Sequence, residues 1–413
     1  MMIERVFARL RLPPEARLIV GLFLAFRLMM LMTFVPEDLT FFGDYPYYYE
    51  LARLSDRGLW PYLHYWMEYP PVFPLLSTVV YRLTAPGGYN AFVLSLGVLM
   101  TLFGVGNLML LMRLASRLHG ETISVRLGWV YALLFMPLIY LWWHFEAMTA
   151  FFLLLALDWL LDRHDVSSAV ATGVGVVVKL VPLLILPVVA LSRSIRQTIA
   201  YVAVLVVSML AVVAPLYVAS PDTTRASLAA PLAWTSWETV WALIDGNYHT
   251  GLVGSIDFHF DNGLATTPLG NPARVPDWLK GIGFAVLYLA ILWRVKPVSG
   301  DTLGAAYKTV GILTITYLVF LLWSKGWSPQ WQVNLIPLIL LMAPDTQGIA
   351  FVLVLGLVNL AEYPVLIGRG LWWPVPMMIL LRTLLLIVLL IELTKRCRPI
   401  EAGREAARHS VHA

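Results

Sequence analysis

The chain is a succession of long apolar runs separated by short polar or basic breaks, and that alternation limits its fold more than any other feature. The runs cover roughly 17–35, 89–112, 125–143, 146–161, 167–178, 180–191, 198–219, 278–295, 303–323, 331–343, 347–364 and 371–394. A helix of about 20 apolar residues crosses a hydrocarbon layer of about 30 Å, and it keeps its own backbone hydrogen-bonded while doing so. Hydrophobic residues are 59% of the 413 and charged residues only 13%, against about 25% charged in soluble domains. The pattern predicts an all-α polytopic membrane protein, one domain over residues 1–413, with about twelve membrane segments. The net charge of +4 fits basic residues in cytoplasmic loops better than a nucleic-acid surface. A single cysteine, Cys397, excludes an internal disulfide framework.

Basic residues set the expected orientation. Arg5, Arg9, Arg11 and Arg17 precede the first run, which is long enough to anchor and lacks a small-residue cleavage site. Arg113, Arg117 and Arg126, then Arg163, then Arg193 with Arg196, then Arg294 with Lys296 mark further cytoplasmic turns. Lys395, Arg396 and Arg398 place the C-terminus on the same side. The expectation is a multi-pass cell-membrane protein with both termini in the cytoplasm. Both flanks of 167–191 carry inside-type charges, so this stretch is expected to break near Lys179 and Pro182 into two short helices. Arg27, inside the first run, is expected to face protein, paired with an acid such as Asp158 or holding a substrate phosphate.

In this arrangement the polar stretches without a cytoplasmic role fall on the outer face. The first outer loop, 36–88, carries Gly43-Asp44-Tyr45-Pro46-Tyr47-Tyr48-Tyr49-Glu50, then Trp60-Pro61-Tyr62 and Glu68-Tyr69-Pro70-Pro71. Pro46 can open a short interfacial helix and Gly58 can end it; a second is expected over 71–84. Trp143-His144-Phe145-Glu146, Lys179, the long loop 220–277, residues 324–330 and Glu362-Tyr363-Pro364 complete the set. A transporter would place polar groups along its path toward the midplane, whereas gathering them at one boundary suits an active site.

Transfer of a sugar from a polyprenyl phosphate needs a base for the acceptor hydroxyl and fixed positive charge beside the departing phosphate. Asp44 is the candidate base; its bland alternative is a helix N-cap. Lys179 and Lys325 are the candidate cations, with interfacial snorkelling as the alternative for Lys325. Glu68 and Glu146 are candidate second acids, able to orient the acceptor or bind a cation. His144 can donate to phosphate or sugar. Tyr62, Trp143 and Trp331 can stack on sugar faces, or simply belong to the aromatic belt. Asp257, His259 and Asp261 alternate in a way that gives only a weak metal signal. No nucleotide, zinc-protease or nucleophile-elbow motif is present.

The set Asp44, Gly58-Leu59-Trp60-Pro61-Tyr62, Glu68-Tyr69-Pro70-Pro71, Lys179-Leu180-Val181-Pro182 and Ser324-Lys325-Gly326-Trp327-Ser328-Pro329-Gln330-Trp331 resembles, in order, motifs of the GT-C membrane glycosyltransferases. The group it resembles most is the bacterial polyprenyl-phosphate-mannose-dependent mannosyltransferases of glycosyltransferase family 87, and more distantly the first mannosyltransferase of GPI-anchor synthesis. Trp237-Glu238-Thr239-Val240-Trp241 and Glu362-Tyr363-Pro364 add weaker similarity. The resemblance implies a GT-C bundle, an inverting transfer without metal or cofactor, and Asp44 as base. It implies a donor phosphate near Lys179, Lys325 and Gln330, with Tyr62, Glu68, Tyr69, His144 and Glu146 contacting substrate. The partners it implies are a lipid-linked sugar donor, a lipid or glycan acceptor and membrane lipids, with no nucleic acid. This sequence has Trp331 where the family has Tyr, and a single acid at Asp44 where the GPI-type enzymes have Asp-x-Asp. A flippase of lipid-linked saccharides and a non-catalytic scaffold are the alternatives of other classes.

Overall fold

A computed structural model describes residues 13–249, 255–296 and 302–397. Arg5, Arg9, Arg11 and Arg398 lie outside the described residues. Those described form helices and connecting turns, with two isolated β-bridges and no strand.

Each expected apolar run is helical, but the runs differ in kind. Among the described residues, seven helical stretches are long and apolar enough to cross a membrane: Ala16–Thr33, Val72–His119, Ile195–Ala219, Asp277–Val295, Leu303–Trp323, Thr346–Arg369 and Val375–Arg396. Glu121–Leu133 and Phe135–Trp143, bent by 49°, make an eighth if taken together. The expected segments near 146–161, 167–178, 180–191 and 331–343 are shorter pieces. Glu146–Leu161 has 16 residues, Asp165–Val176 has 12 and Gln332–Met342 has 11. At 1.5 Å per residue these reach only about 24, 18 and 17 Å, short of a hydrocarbon core. Every residue of Gln332–Met342 is buried, as is most of Glu146–Leu161. Together with the mostly buried Leu303–Trp323 they form the interior of the bundle, and the other long helices carry exposed apolar faces. The expected break near Lys179 is present: helix Asp165–Val176 stops, a 3-10 turn runs Val181–Ile185, and Leu186–Ser192 resumes.

The helix Glu146–Leu161 gives the bundle two chemically different ends. Near its C-terminus Arg113 Nε donates to both oxygens of Asp158 at 2.8 and 3.0 Å, and Arg117 Nη1 donates to Asp162 at 2.5 Å. Arg193 clamps Asp165 in the same region at 2.7–2.9 Å. At its N-terminus Glu146 meets Lys179 and Asn334. The basic turns and the acid-and-tyrosine segment therefore lie about 24 Å apart along one rigid element. The pairing of Asp158 with Arg113 corrects the expectation for Arg27. Arg27 instead donates to the carbonyls of Phe23 at 2.8 Å and Pro137 at 3.2 Å, and its guanidinium covers the Phe23 ring. Neither an acid nor an open phosphate site faces it among those contacts.

The segment 36–88 builds both short helices expected there, Tyr45–Arg53 and Val72–Thr84, the second running into the apolar stretch that ends at His119. Gly58 closes the first, at φ 75°, where an L side chain would be strained. Residues 220–277 are not a plain loop: they hold helices Pro221–Ala233 and Val240–Asp245 and 3-10 turns at 256–260 and 264–266. Trp66 ties the two regions together, donating from Nε1 to the carbonyls of Phe258 at 2.9 Å and Asp261 at 3.0 Å.

Candidate active site

Asp44 stands immediately before helix Tyr45–Arg53, in the N-cap position, but its carboxylate makes no capping bond. Two backbone contacts fix its place. Its N–H donates to the Trp143 carbonyl at 2.9 Å, and Tyr45, one residue on, donates its hydroxyl to the Leu141 carbonyl at 2.8 Å. Gly43 makes this junction possible. A Cβ there would lie 2.4 Å from the Trp143 Cα, so only glycine lets the two backbones approach.

With its backbone held, the Asp44 carboxylate points into a ring of hydrogen-bond donors. Oδ2 accepts from the Tyr48 and Tyr69 hydroxyls, both at 3.2 Å. His144 Nδ1 lies 3.1 Å from the same oxygen, at ion-pair distance though not aligned as a hydrogen bond. Oδ1 takes part in none of these contacts, and the side chain keeps 35% of its exposure. Burial pushes the Asp44 pKa up, but His144, Tyr48 and Tyr69 outweigh it and hold the group below the usual carboxylate value. Asp44 is thus ionised at neutral pH, with one oxygen free to take a proton.

The other sequence candidates are placed differently from one another. Tyr69 and His144 belong to the Asp44 cluster itself. Glu146 and Lys179 form a pair beside it: Lys179 Nζ bonds Glu146 Oε1, and Asn334 Nδ2 donates to Oε2 at 2.8 Å. The Lys179 ammonium also lies 5.3 Å from the Phe145 ring and 5.8 Å from that of Trp331. Phe145 packs edge-on against Tyr69 at 5.2 Å, so a single ring separates the lysine from the phenols of Asp44. Both Glu146 oxygens have protein partners and the residue is 1% exposed, so it holds Lys179 in place and does not reach for an acceptor.

Three residues are turned elsewhere: Lys325, Tyr62 and Trp143. Lys325 was expected to converge with Asp44 and Lys179. Its ammonium instead donates to the Leu232 carbonyl at 2.7 Å. Partial burial lowers its pKa, with Asp277 opposing. None of these partners belongs to the Asp44 cluster. The reason lies in its backbone, because Trp237 N–H and Thr239 Oγ1 both donate to the Lys325 carbonyl at 3.0 Å. That strap turns the side chain toward helix Pro221–Ala233. Tyr62 is fully buried at 0% exposure and donates its hydroxyl to the Tyr69 carbonyl at 2.8 Å. It cannot stack on a sugar; it positions Tyr69. Trp143 is likewise buried, with Nε1 donating to the Leu39 carbonyl at 2.8 Å. Gln330 and Trp331 sit in the 3-10 turn before helix Gln332–Met342, both partly exposed.

Glu68 is 4% exposed, and its Oε2 lies 3.3 Å from the Tyr47 hydroxyl. Burial raises its pKa to about 7, with Asp44 adding to the effect. The Tyr47 hydroxyl lies 2.7 Å from His259 Nε2. His259 therefore turns inward to tyrosine, and among the described residues no three His, Cys, Asp or Glu are arranged to hold a metal.

Sequence reasoning passed over several of these groups. Tyr48 was legible, since a helix opened at Pro46 places it one turn after Asp44. Arg382 was legible too, as a charge inside an apolar run. It pairs with Glu362, donates to the Glu238 carbonyl and lies 4.4 Å from the Trp327 ring. Asn334 and the inward turn of His259 carried no sequence signal.

The model of glycosyltransferase family 87 matches residues 66–324. The chain belongs to glycosyltransferase family 87. Within this family 87 protein the matched stretch contains Glu68, Tyr69, His144, Glu146 and Lys179, while Asp44 precedes it and Lys325 and Gln330 follow it. The case for Asp44 therefore rests on its geometry. No curated protein and no solved structure matches the chain.

Proposed function

We propose that this glycosyltransferase moves a hexose, mannose first among the candidates, from a polyprenyl-phosphate donor to a lipid or glycan acceptor at the outer membrane face, with inversion. The observation that carries the reading is Asp44: ionised, held by two phenols, with one oxygen open. The acceptor hydroxyl gives its proton to Asp44 Oδ1 as its oxygen attacks the anomeric carbon. The bond from that carbon to the phosphate oxygen breaks, and polyprenyl phosphate leaves as an anion that needs no proton. One displacement inverts the centre. A depressed pKa makes Asp44 a weak base, so proton transfer is late, when the attacking oxygen is already acidic.

Two features support a lipid-linked donor. Lys179 supplies a fixed cation one aromatic ring from the Asp44 phenols, where a departing phosphate would be stabilised. A cleft of about 610 Å³ opens between helices Asp277–Val295, Leu303–Trp323 and Val375–Arg396, lined by Trp241, Phe284, Leu287, Ile387 and Ile391. Its size and largely apolar walls suit a prenyl chain, although its lining shares no residue with the Asp44 or Lys179 groups and includes Arg294 and Lys395.

The test is incubation of the purified protein in lipid nanodiscs with radiolabelled polyprenyl-phosphate mannose, polyprenyl-phosphate glucose or a nucleotide sugar, plus a glycolipid extract. Polyprenyl phosphate should be released from a polyprenyl-phosphate sugar only when acceptor is present, with a product anomer opposite to the donor's. Turnover of the nucleotide sugar alone would overturn the donor assignment. Movement of intact donor between leaflets without cleavage would make the protein a flippase.

A further inference from the structure

Glu68 is an acid buried among Tyr47, Tyr62, Tyr65, Tyr69, His259 and Asp44, with no cation among them. Among the described residues the Tyr47 hydroxyl is its one side-chain hydrogen-bond partner, its own backbone N–H faces the carboxyl, and Oε1 has no partner. The hydrogens along this chain can be assigned from what each atom faces. His259 Nδ1 lies 2.7 Å from the Trp66 carbonyl oxygen, which can only accept, so Nδ1 carries a hydrogen. In a neutral imidazole Nε2 is then bare and must accept from the Tyr47 hydroxyl 2.7 Å away. Tyr47 has one hydrogen and has spent it. Toward Glu68 Oε2, at 3.3 Å, its oxygen can only accept. The bond then requires a hydrogen on Glu68.

We propose that Glu68, Tyr47 and His259 form a one-proton relay that rests as carboxylic acid, phenol and neutral imidazole, leaving Asp44 the single charged carboxylate of the pocket. The other form of the relay moves two hydrogens together, from Glu68 to the Tyr47 oxygen and from Tyr47 to His259 Nε2. Nothing is gained or lost, and the result is a carboxylate and an imidazolium held apart by a ring. The distances favour the neutral form. A carboxylate draws a hydroxyl to about 2.5–2.7 Å, whereas here the short contact is at the imidazole and the long one at the acid. Separating charge would also leave a carboxylate with one unpaired oxygen beside Asp44, and two close carboxylates do not both ionise readily. Burial acts the same way on both ends, raising the pKa of Glu68 and lowering that of His259.

Glu68 is in this account a positioning residue: as a neutral acid it spares Asp44 a neighbouring negative charge. The consequence depends on Asp44 being the base, but the relay itself can be read without substrate. The full chain in nanodiscs is examined at pH 6 by infrared spectroscopy, and separately by ¹⁵N NMR of its histidines. A buried carboxylic-acid carbonyl component should be present in the wild type minus Glu68→Gln difference spectrum, and should move to higher frequency in Tyr47→Phe, which removes its acceptor; the buried Glu238 carboxyl contributes equally to both and cancels. The histidine missing from the spectrum of His259→Gln should be neutral with hydrogen on Nδ1. An acid band unchanged by Glu68→Gln, or an imidazolium at His259, overturns the proposal. If Glu68→Gln does not fold, His259 in the wild type still decides, since an imidazolium there at pH 6 overturns the relay; the absence of any acid band at pH 6 does so too, whereas its presence alone does not assign it, because the buried Glu238 carboxyl is also pushed up, to about 8. These outcomes leave the reading of Asp44 as base untouched, and loss of that reading leaves the relay standing.

Discussion

Asp44 and Glu68 are two carboxylates in one pocket whose surroundings push them in opposite directions. Tyr48, Tyr69 and His144 stabilise the charged form of Asp44, so replacing Tyr48 and Tyr69 with Phe should raise its pKa. The acid limb of the pH–rate profile for sugar transfer should then move toward neutral pH; a limb that stays put would remove the phenols from the account. Glu68 is the reverse case, and its effect is on stability. Its folded-state pKa of about 7 lies above the ordinary 4.5. Its contribution is fully present below about pH 4.5 and is lost as pH rises to about 7. The 2.5 units between those values correspond to roughly 3 kcal/mol. Thermal unfolding in detergent should show a midpoint falling from pH 5 to pH 8, and Glu68→Gln should flatten that slope. An unchanged slope in the variant would place the titrating group elsewhere.

The junction of Gly43-Asp44 with Trp143-His144 is where the start of helix Tyr45–Arg53 is welded to the end of helix Phe135–Trp143. A methyl at Gly43 would meet the Trp143 backbone at 2.4 Å, whereas one at Gly21, in helix Ala16–Thr33, would meet nothing within 4 Å. Gly43→Ala should therefore cost about 1–3 kcal/mol by overpacking and displace Asp44, with transfer falling well below wild type. Gly21→Ala should be neutral or slightly stabilising. Equal behaviour of the two variants in unfolding and transfer assays would show that the close approach is not needed. The strap from 237 to 239 across 325–327 is the second such weld, since a methyl at Gly326 would lie 2.1 Å from the Trp237 ring. That strap explains why a lysine in the expected motif has its ammonium at Leu232. Sequence order located the backbone of Lys325, but the direction of its side chain was set by a segment almost 90 residues upstream.

At the scale of the molecule, hydropathy identified the class and the helices, and charge separated the two ends of the bundle. It could not tell a crossing helix from a buried one. Gln332–Met342 reads as apolar as any span, yet its 11 residues are enclosed by protein on all sides. The same limit concealed pairings that cross the fold. Arg27 and Asp158 both stood out as intramembrane charges, and each found a different partner. Arg382 meets Glu362 and the Glu238 backbone from three distant parts of the chain. Arg382→Ala should destabilise by about 3–5 kcal/mol, because it strands a buried carboxylate. Pairing Arg382→Met with Glu362→Gln should recover much of that loss in thermal unfolding; a double variant as unstable as the single one would contradict the assignment.

The central claim is that the Asp44 carboxylate removes the acceptor's proton during glycosyl transfer. It is tested most directly by measuring acceptor-dependent release of polyprenyl phosphate from radiolabelled polyprenyl-phosphate mannose by wild type and by Asp44→Asn, each reconstituted and shown to be folded. Asn keeps the shape and loses the base, so the variant should insert normally and release no polyprenyl phosphate above background. Release at the wild-type rate by Asp44→Asn would contradict the account.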